Sequence, residues 1–167
     1  MPRGVSPWVS TLKNNDPQTT ATYIEGVGSV DQPLLGPALG HGMEERILRG
    51  YVFISQHYNP GDDVYLFGFS RGAHQVRALA GLLSYAGVPI ESNRDHENLM
   101  KLGNNIIELV KKKSDKDYVD QRASWRPGHL PLLSIEMRDK LQLAMQPVEV
   151  TFLGVWDTVP GSSLKGY

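Results

Sequence analysis

The hydropathy of this chain changes period at residue 70, and that switch restricts the possible fold more than any other feature. Before it, VYLFGF (residues 64–69) is an apolar run of strand length rich in β-formers. After it, Val76, Leu79, Ala80 and Leu83 recur at helical spacing, with Gly87 continuing the same face and Pro89 the expected stop. A strand that feeds a helix through Gly68, Phe69, Ser70 and Arg71 leaves room only for a tight turn. Such a unit belongs to folds in which strands and helices alternate.

The rest of the chain continues that alternation. Residues 1–22 are polar and punctuated by proline and read as an N-terminal segment, with residues 23–167 as one domain. TYIEGVG (residues 22–28) is a short predicted strand, and residues 28–42 form a glycine- and proline-rich loop long enough to suggest a use. MEERILRGYVFISQHY (residues 43–58) spaces Ile47, Tyr51, Ile54 and Tyr58 along one helical face, with Glu44 and Glu45 in the first turn. NPGDD then turns the chain into the strand at 64–69. A third helix is expected over about 96–110, on the stripe Leu99, Leu102, Ile106, Leu109 and Val110. Lys111, Lys112 and Lys113 read as a solvated end that complements the helix dipole, with a phosphate or headgroup patch as the alternative. Residues 114–131 are loop-like, Ser134 is expected to cap a helix running to about Met145, and Val148, Val150 and Phe152 alternate into LGVW before Asp157. This order implies an α/β fold, a mostly parallel sheet flanked by helices on both faces, with sites at the carboxyl ends of the strands. Ser70 and Asp157 both fall at such ends.

Composition narrows the function classes. The 167 residues are 40% hydrophobic, enough for one sizeable core. Seventeen basic against eighteen acidic residues give a net charge of -1, which asks for neither nucleic acid nor an anionic membrane surface. Without cysteine, a disulfide framework, a thiolate zinc site and a cysteine nucleophile are excluded. The opening MPRGVSPWVSTLKNND lacks the apolar core of a signal peptide, and no apolar run approaches a membrane span, so the chain is expected to be soluble at synthesis with no transmembrane segment.

Gly68-Phe69-Ser70-Arg71-Gly72 is G-x-S-x-G, the nucleophile-elbow pattern. A serine in a strained strand-to-helix turn holds Oγ clear of the backbone, and the amide of the next residue, Arg71, stands at the positive end of the helix dipole, where it can stabilise an oxyanion. Glycines at 68 and 72 are expected because a Cβ at either would clash in so close a turn. An ordinary tight turn is the plainer alternative for Ser70. A serine nucleophile needs a base, usually histidine, oriented by an acid. Asp157 can be that acid, or it can cap the WDTVPG turn. The five histidines, at 41, 57, 74, 96 and 129, all precede Asp157. His57 belongs at the far edge of the sheet and His74 one helical turn after Ser70, while His41 and His96 have only weak claims. His129, in the loop WRPGHLP, is the candidate base. No metal or organic cofactor is needed for this chemistry. The glycine loop from Gly26 has no G-x-G-x-x-G or lysine-bearing phosphate loop, which counts against a nucleotide-binding domain.

LFGFSRGAHQVRALAGLL after YNPGDD, together with FLGVWDTV near the end, resembles the two signature segments of the α/β-hydrolase-like catalytic domain of type VI secretion lipase effectors. EGVGS and GMEERILRGYVFI are similar to the family's segment before the nucleophile strand, so the likeness spans residues 23–167, most variable between 87 and 147. The resemblance implies Ser70 as nucleophile, Asp157 as triad acid and Arg71 as one oxyanion amide, with His74 where relatives often carry an aromatic residue. It implies a phospholipase or lipase acting on lipid or another acyl ester, delivery by a bacterial secretion machine, and an immunity protein as a possible partner. The family pattern also has an Asp-Gly-Thr strand at its start and a histidine after the aspartate, and this sequence has neither. The expected sheet is then incomplete and the isolated chain marginal or self-associating. A catalytically inactive module that binds a partner or lipid is the alternative function.

Overall fold

The computed structural model describes residues 16, 18–26, 38–90, 95–112, 139 and 143–159. Helix α1 (Ala38–His57) leads to strand β1 (Val64–Phe69), helix α2 (Arg71–Ala86), the short β2 (Val88–Pro89) and helix α3 (His96–Lys112). The short β3 (Met145–Gln146) and strand β4 (Val150–Trp156) follow. The fold is α/β, with β1 and β4 parallel and β2 and β3 antiparallel.

Ile47, Tyr51, Ile54 and Tyr58 are all buried on α1, as their spacing predicts. The helix starts five residues earlier than the periodicity suggests. Arg46 holds this start: Nη1 donates to the Gly42 carbonyl at 2.6 Å and Nε to the Glu25 carbonyl at 2.7 Å. These bonds also fasten residues 22–26, which are not a strand; no neighbouring strand stands beside them among the described residues. In the turn before β1, Asn59 N–H donates to Asp62 Oδ2 at 2.8 Å, and Gly61 takes φ 95°. The Thr151 hydroxyl donates to Asp63 at 3.0 Å and accepts from Val64 N–H at 3.1 Å, which pins the start of β1 to β4 beside an irregularity between Val64 and Tyr65.

From there the register runs Leu66 to Leu153, Gly68 to Val155 and Phe69 to Trp156. Helix α2 packs on both strands, α1 on α2, and α3 on α1. Leu79, Leu82 and Leu83 of α2, Leu48 and Val52 of α1 and Leu99 and Ile106 of α3 fill the core between them. Each such buried side chain contributes about 1.5–3 kcal/mol. Gly87, at φ 66°, ends α2 rather than Pro89; its N–H donates to Leu83 at 2.7 Å, and its carbonyl accepts from the buried Tyr51 hydroxyl at 3.0 Å. Pro89 lies instead in the β2–β3 pair, extended by the Ile90 N–H bond to Ala144 at 2.9 Å. Met145 is therefore strand, not the end of a helix; residue 139 is helical, while Ser134 and the loop before it lie outside the described residues. Helix α3 runs two residues past its expected end, and Lys111 pairs with Glu44 of α1 at 2.9 Å rather than standing as a purely solvated end.

The expectation of helices on both faces is corrected for the described residues. One face of the β1–β4 pair meets α2. The other presents Tyr65, Phe67, Phe69, Phe152 and Trp156, each 48–69% exposed. Rings from both strands meet there, Phe67 with Phe152 at 5.6 Å and Phe67 with Trp156 at 6.4 Å between centroids.

Candidate active site

Parallel pairing brings the two candidate side chains to one edge. Phe69 and Trp156 are register partners and end their strands, so Ser70 and Asp157 are the next residues at the same carboxyl edge of the pair. Both have left-handed backbones, Ser70 at φ 55° and Asp157 at φ 48°, and they are the two non-glycine residues with positive φ among those described. A serine held there costs about 1–3 kcal/mol and persists only where the surroundings over-determine it.

Close packing and backbone bonds do so. A Cβ on Gly68 would lie 2.5 Å from the Gly72 carbonyl oxygen and 2.7 Å from Ala73 Cα, both backbone atoms that cannot step aside. Gly72 differs from expectation. Among the described residues a Cβ there meets nothing within 4 Å, because the helix has already turned its second residue away from the strand. Ser70 N–H donates to the Trp156 carbonyl at 2.9 Å, and the Ser70 carbonyl accepts from Ala73 N–H at 3.1 Å and from Val159 N–H at 3.3 Å.

Ser70 occupies the N-cap position of α2, where a serine hydroxyl ordinarily accepts from the N2 or N3 amide. Here the side chain makes no capping bond. Among the described residues the hydroxyl is left without a bond, at the positive end of a 16-residue helix. Arg71 opens that helix, so its amide lies at the dipole end beside the serine. Asp157 is exposed, and its turn is held by main-chain bonds rather than by its own carboxylate among the described residues.

The histidines divide. His57, at the end of α1, bonds the Phe53 carbonyl through Nδ1 at 2.8 Å and meets the Phe53 ring in a tilted contact, seven residues before β1 begins and so toward the end opposite Ser70. His96 is exposed at the start of α3. His74 lies one turn into α2, with Nε2 buried and without a hydrogen-bond partner among the described residues. The side chain of His41 and the whole of His129 lie outside the described residues. A cleft of about 300 Å³ lined by Thr22, Tyr23, Ile24, Glu25 and Arg49 includes no residue of the elbow or the Asp157 turn, and its polar, open lining assembles no reactive pair. Among the described residues no three His, Asp or Glu side chains stand together to hold a metal, and no helix is long and apolar enough to cross a membrane. What motif reading missed is the backbone contribution of Trp156 and Val159. Their carbonyl and N–H groups leave no mark in a side-chain pattern.

An uncharacterized protein of Saccharomyces cerevisiae (strain ATCC 204508 / S288c), YEL023C, is 30% identical over 114 residues, covering 58% of this chain. The chain spans 16% of that relative's length. No solved structure matches the chain. The family model of the type VI secretion system phospholipase effector Tle1-like catalytic domain matches residues 5–165, nearly the whole sequence. With Ser70 and Asp157 at one sheet edge inside that match, the chain belongs to the Tle1-like phospholipase effector family, matching its catalytic domain.

Proposed function

We propose that this chain carries the nucleophile and the acid of a serine acyl hydrolase with an α/β-hydrolase-like sheet, acting on a phospholipid or a related acyl ester. The observation that carries the reading is Ser70 itself: a serine at a helix N-cap, at φ 55°, whose hydroxyl does not cap. A serine kept only for a turn would bond the first-turn amides; this one is held in a costly conformation with its Oγ unspent. Oγ attacks the ester carbonyl carbon while a histidine takes its proton. The oxyanion is stabilised by the Arg71 amide and the dipole of α2. The alkoxide leaves with the proton, and water, deprotonated by the same histidine, releases the acid from the acyl-enzyme. Asp157 orients and stabilises the imidazolium.

His129 is the first candidate for the base within these 167 residues. Unchanged turnover in His129→Ala removes His129 as the base and passes the role to another of the five histidines. Residues 23–167 form the hydrolase domain in this reading, with 1–22 as a polar leading segment. The family description supports delivery by a type VI machine, and a cognate immunity protein is the partner this reading adds.

The test is hydrolysis of a short-chain p-nitrophenyl ester and of phosphatidylcholine vesicles by the chain and by Ser70→Ala. Loss of turnover by about a thousandfold or more in the variant supports the reading. Folded protein without turnover on any acyl ester turns it toward an inactive, hydrolase-like binding module.

A further inference from the structure

We propose that the Trp156 carbonyl and the Val159 N–H form a backbone clamp that sets the spacing between Ser70 and Asp157, which makes Val159 a positioning residue of the site. The inference rests on the reading of Ser70 as nucleophile and Asp157 as acid, and goes beyond it.

The clamp closes a ring through main-chain atoms. Ser70 N–H donates to the Trp156 carbonyl at 2.9 Å, the chain continues through Asp157 and Thr158, and Val159 N–H returns to the Ser70 carbonyl at 3.3 Å. Both polar groups of the serine's own residue are thus bonded to the turn that carries the acid, one on each side of Asp157. Helix α2 alone would hold only the Ser70 carbonyl, through Ala73 N–H at 3.1 Å. The ring also accounts for the backbone of Asp157. To present its preceding carbonyl and the Val159 amide to the same residue, the chain must reverse within three peptides, and φ 48° at Asp157 is how it does so.

The two strained residues are therefore mutually supporting, since neither left-handed backbone is fixed by its own element alone. Sheet pairing ends at Phe69 and Trp156, and beyond it the acid has no other main-chain tether to the elbow among the described residues. Catalytic carboxylate and nucleophile must stay within a fraction of an ångström of their working separation, and displacement by about 1 Å can lower rate on the order of a hundredfold. A side chain on an exposed turn achieves that only when its backbone is tied down.

The test has two arms on the full chain. Amide hydrogen exchange of the wild type is read at Val159 and at Thr158, whose N–H makes neither of the ring's bonds. Val159 is expected to exchange at least about tenfold more slowly than its intrinsic rate, with Thr158 close to its own. Val159→Pro deletes the N–H, while Val159→Ala keeps it. Val159→Pro is expected to lower the second-order rate of Ser70 labelling by a fluorophosphonate on the order of a hundredfold, in the inactivation step rather than in probe binding, with melting temperature little changed; Val159→Ala restores the wild-type rate. A Val159 amide that exchanges as freely as Thr158 overturns the clamp, whether or not Ser70 reacts, and this arm stands even if the proline variant does not fold. Equal labelling rates for folded Val159→Pro and wild type overturn the positioning role while leaving Ser70 a nucleophile. Absence of wild-type labelling, by contrast, counts against the hydrolase reading.

Discussion

Ser70 carries its backbone strain in a form that stability measurements can read. Its φ of 55° is open to glycine without penalty and strains alanine as it strains serine, so Ser70→Gly and Ser70→Ala separate the backbone from the hydroxyl. Because the hydroxyl makes no capping bond, its loss alone is nearly silent. Urea denaturation is expected to find Ser70→Gly more stable than Ser70→Ala by about 1 kcal/mol, with both inactive. The same logic applies to Asp157, at φ 48°, a conformation that asparagine tolerates far better than alanine. Asp157→Asn is expected to keep the fold within about 0.5 kcal/mol and to lose at least about a hundredfold in turnover, which isolates the charge from the turn. Both residue types were legible in the sequence as reactive groups at strand ends. Their positive φ values and the peptide bonds that hold them were not, since backbone geometry follows from how two distant segments meet.

At the scale of elements, the strand-turn-helix unit was the most legible part, because a switch from an apolar strand run to helical spacing admits few conformations. Within it the two motif glycines prove unequal. Gly68→Ala sets a Cβ against backbone atoms of Gly72 and Ala73 and is expected to destabilise by about 1–3 kcal/mol. Gly72→Ala meets nothing within 4 Å and is expected to be neutral or stabilising by up to about 1 kcal/mol, both measured by thermal melting. Elements whose existence depends on a partner were misread. Residues 22–26 have strand-forming character and no strand to pair with among the described residues, while the two-residue β2 and β3 are too short to show any period. The early start of α1 was hidden by Gly40 and Gly42; the Arg46 bonds that support it cross 21 residues of sequence to Glu25. Tyr51 joins α1 to the end of α2, and burial raises its phenol well above the ordinary value of 10.0. The folded state therefore keeps that proton where the unfolded chain releases it. Its contribution is complete below about pH 10 and is lost as pH rises from there toward the folded pKa. Tyr51→Phe is expected to flatten the alkaline loss of stability, while lowering stability at neutral pH by about 1–3 kcal/mol, because the Gly87 carbonyl loses its donor.

Across the whole molecule, a parallel sheet ordinarily buries both of its faces, and this one buries the face toward α2. The aromatic rings of Tyr65, Phe67, Phe69, Phe152 and Trp156 make the other face the chain's main exposed apolar feature among the described residues. We expect the isolated chain to bind an apolar dye such as ANS at neutral pH while still folded, and Phe67→Ser with Phe152→Ser to reduce that binding severalfold. Dye binding unchanged by the pair would place the exposed apolar surface elsewhere. The overall α/β class was readable from element order, but the one-sided cover was not, because the alternation along β1 marks two apolar faces without saying what lies on each. Acyl transfer by this chain requires Ser70 to be an activated nucleophile rather than a turn residue, and labelling of the folded chain by a fluorophosphonate probe tests that directly. Modification at Ser70, located by mass spectrometry and absent in Ser70→Ala, is the predicted result. A folded chain that stays unmodified at Ser70 would contradict it.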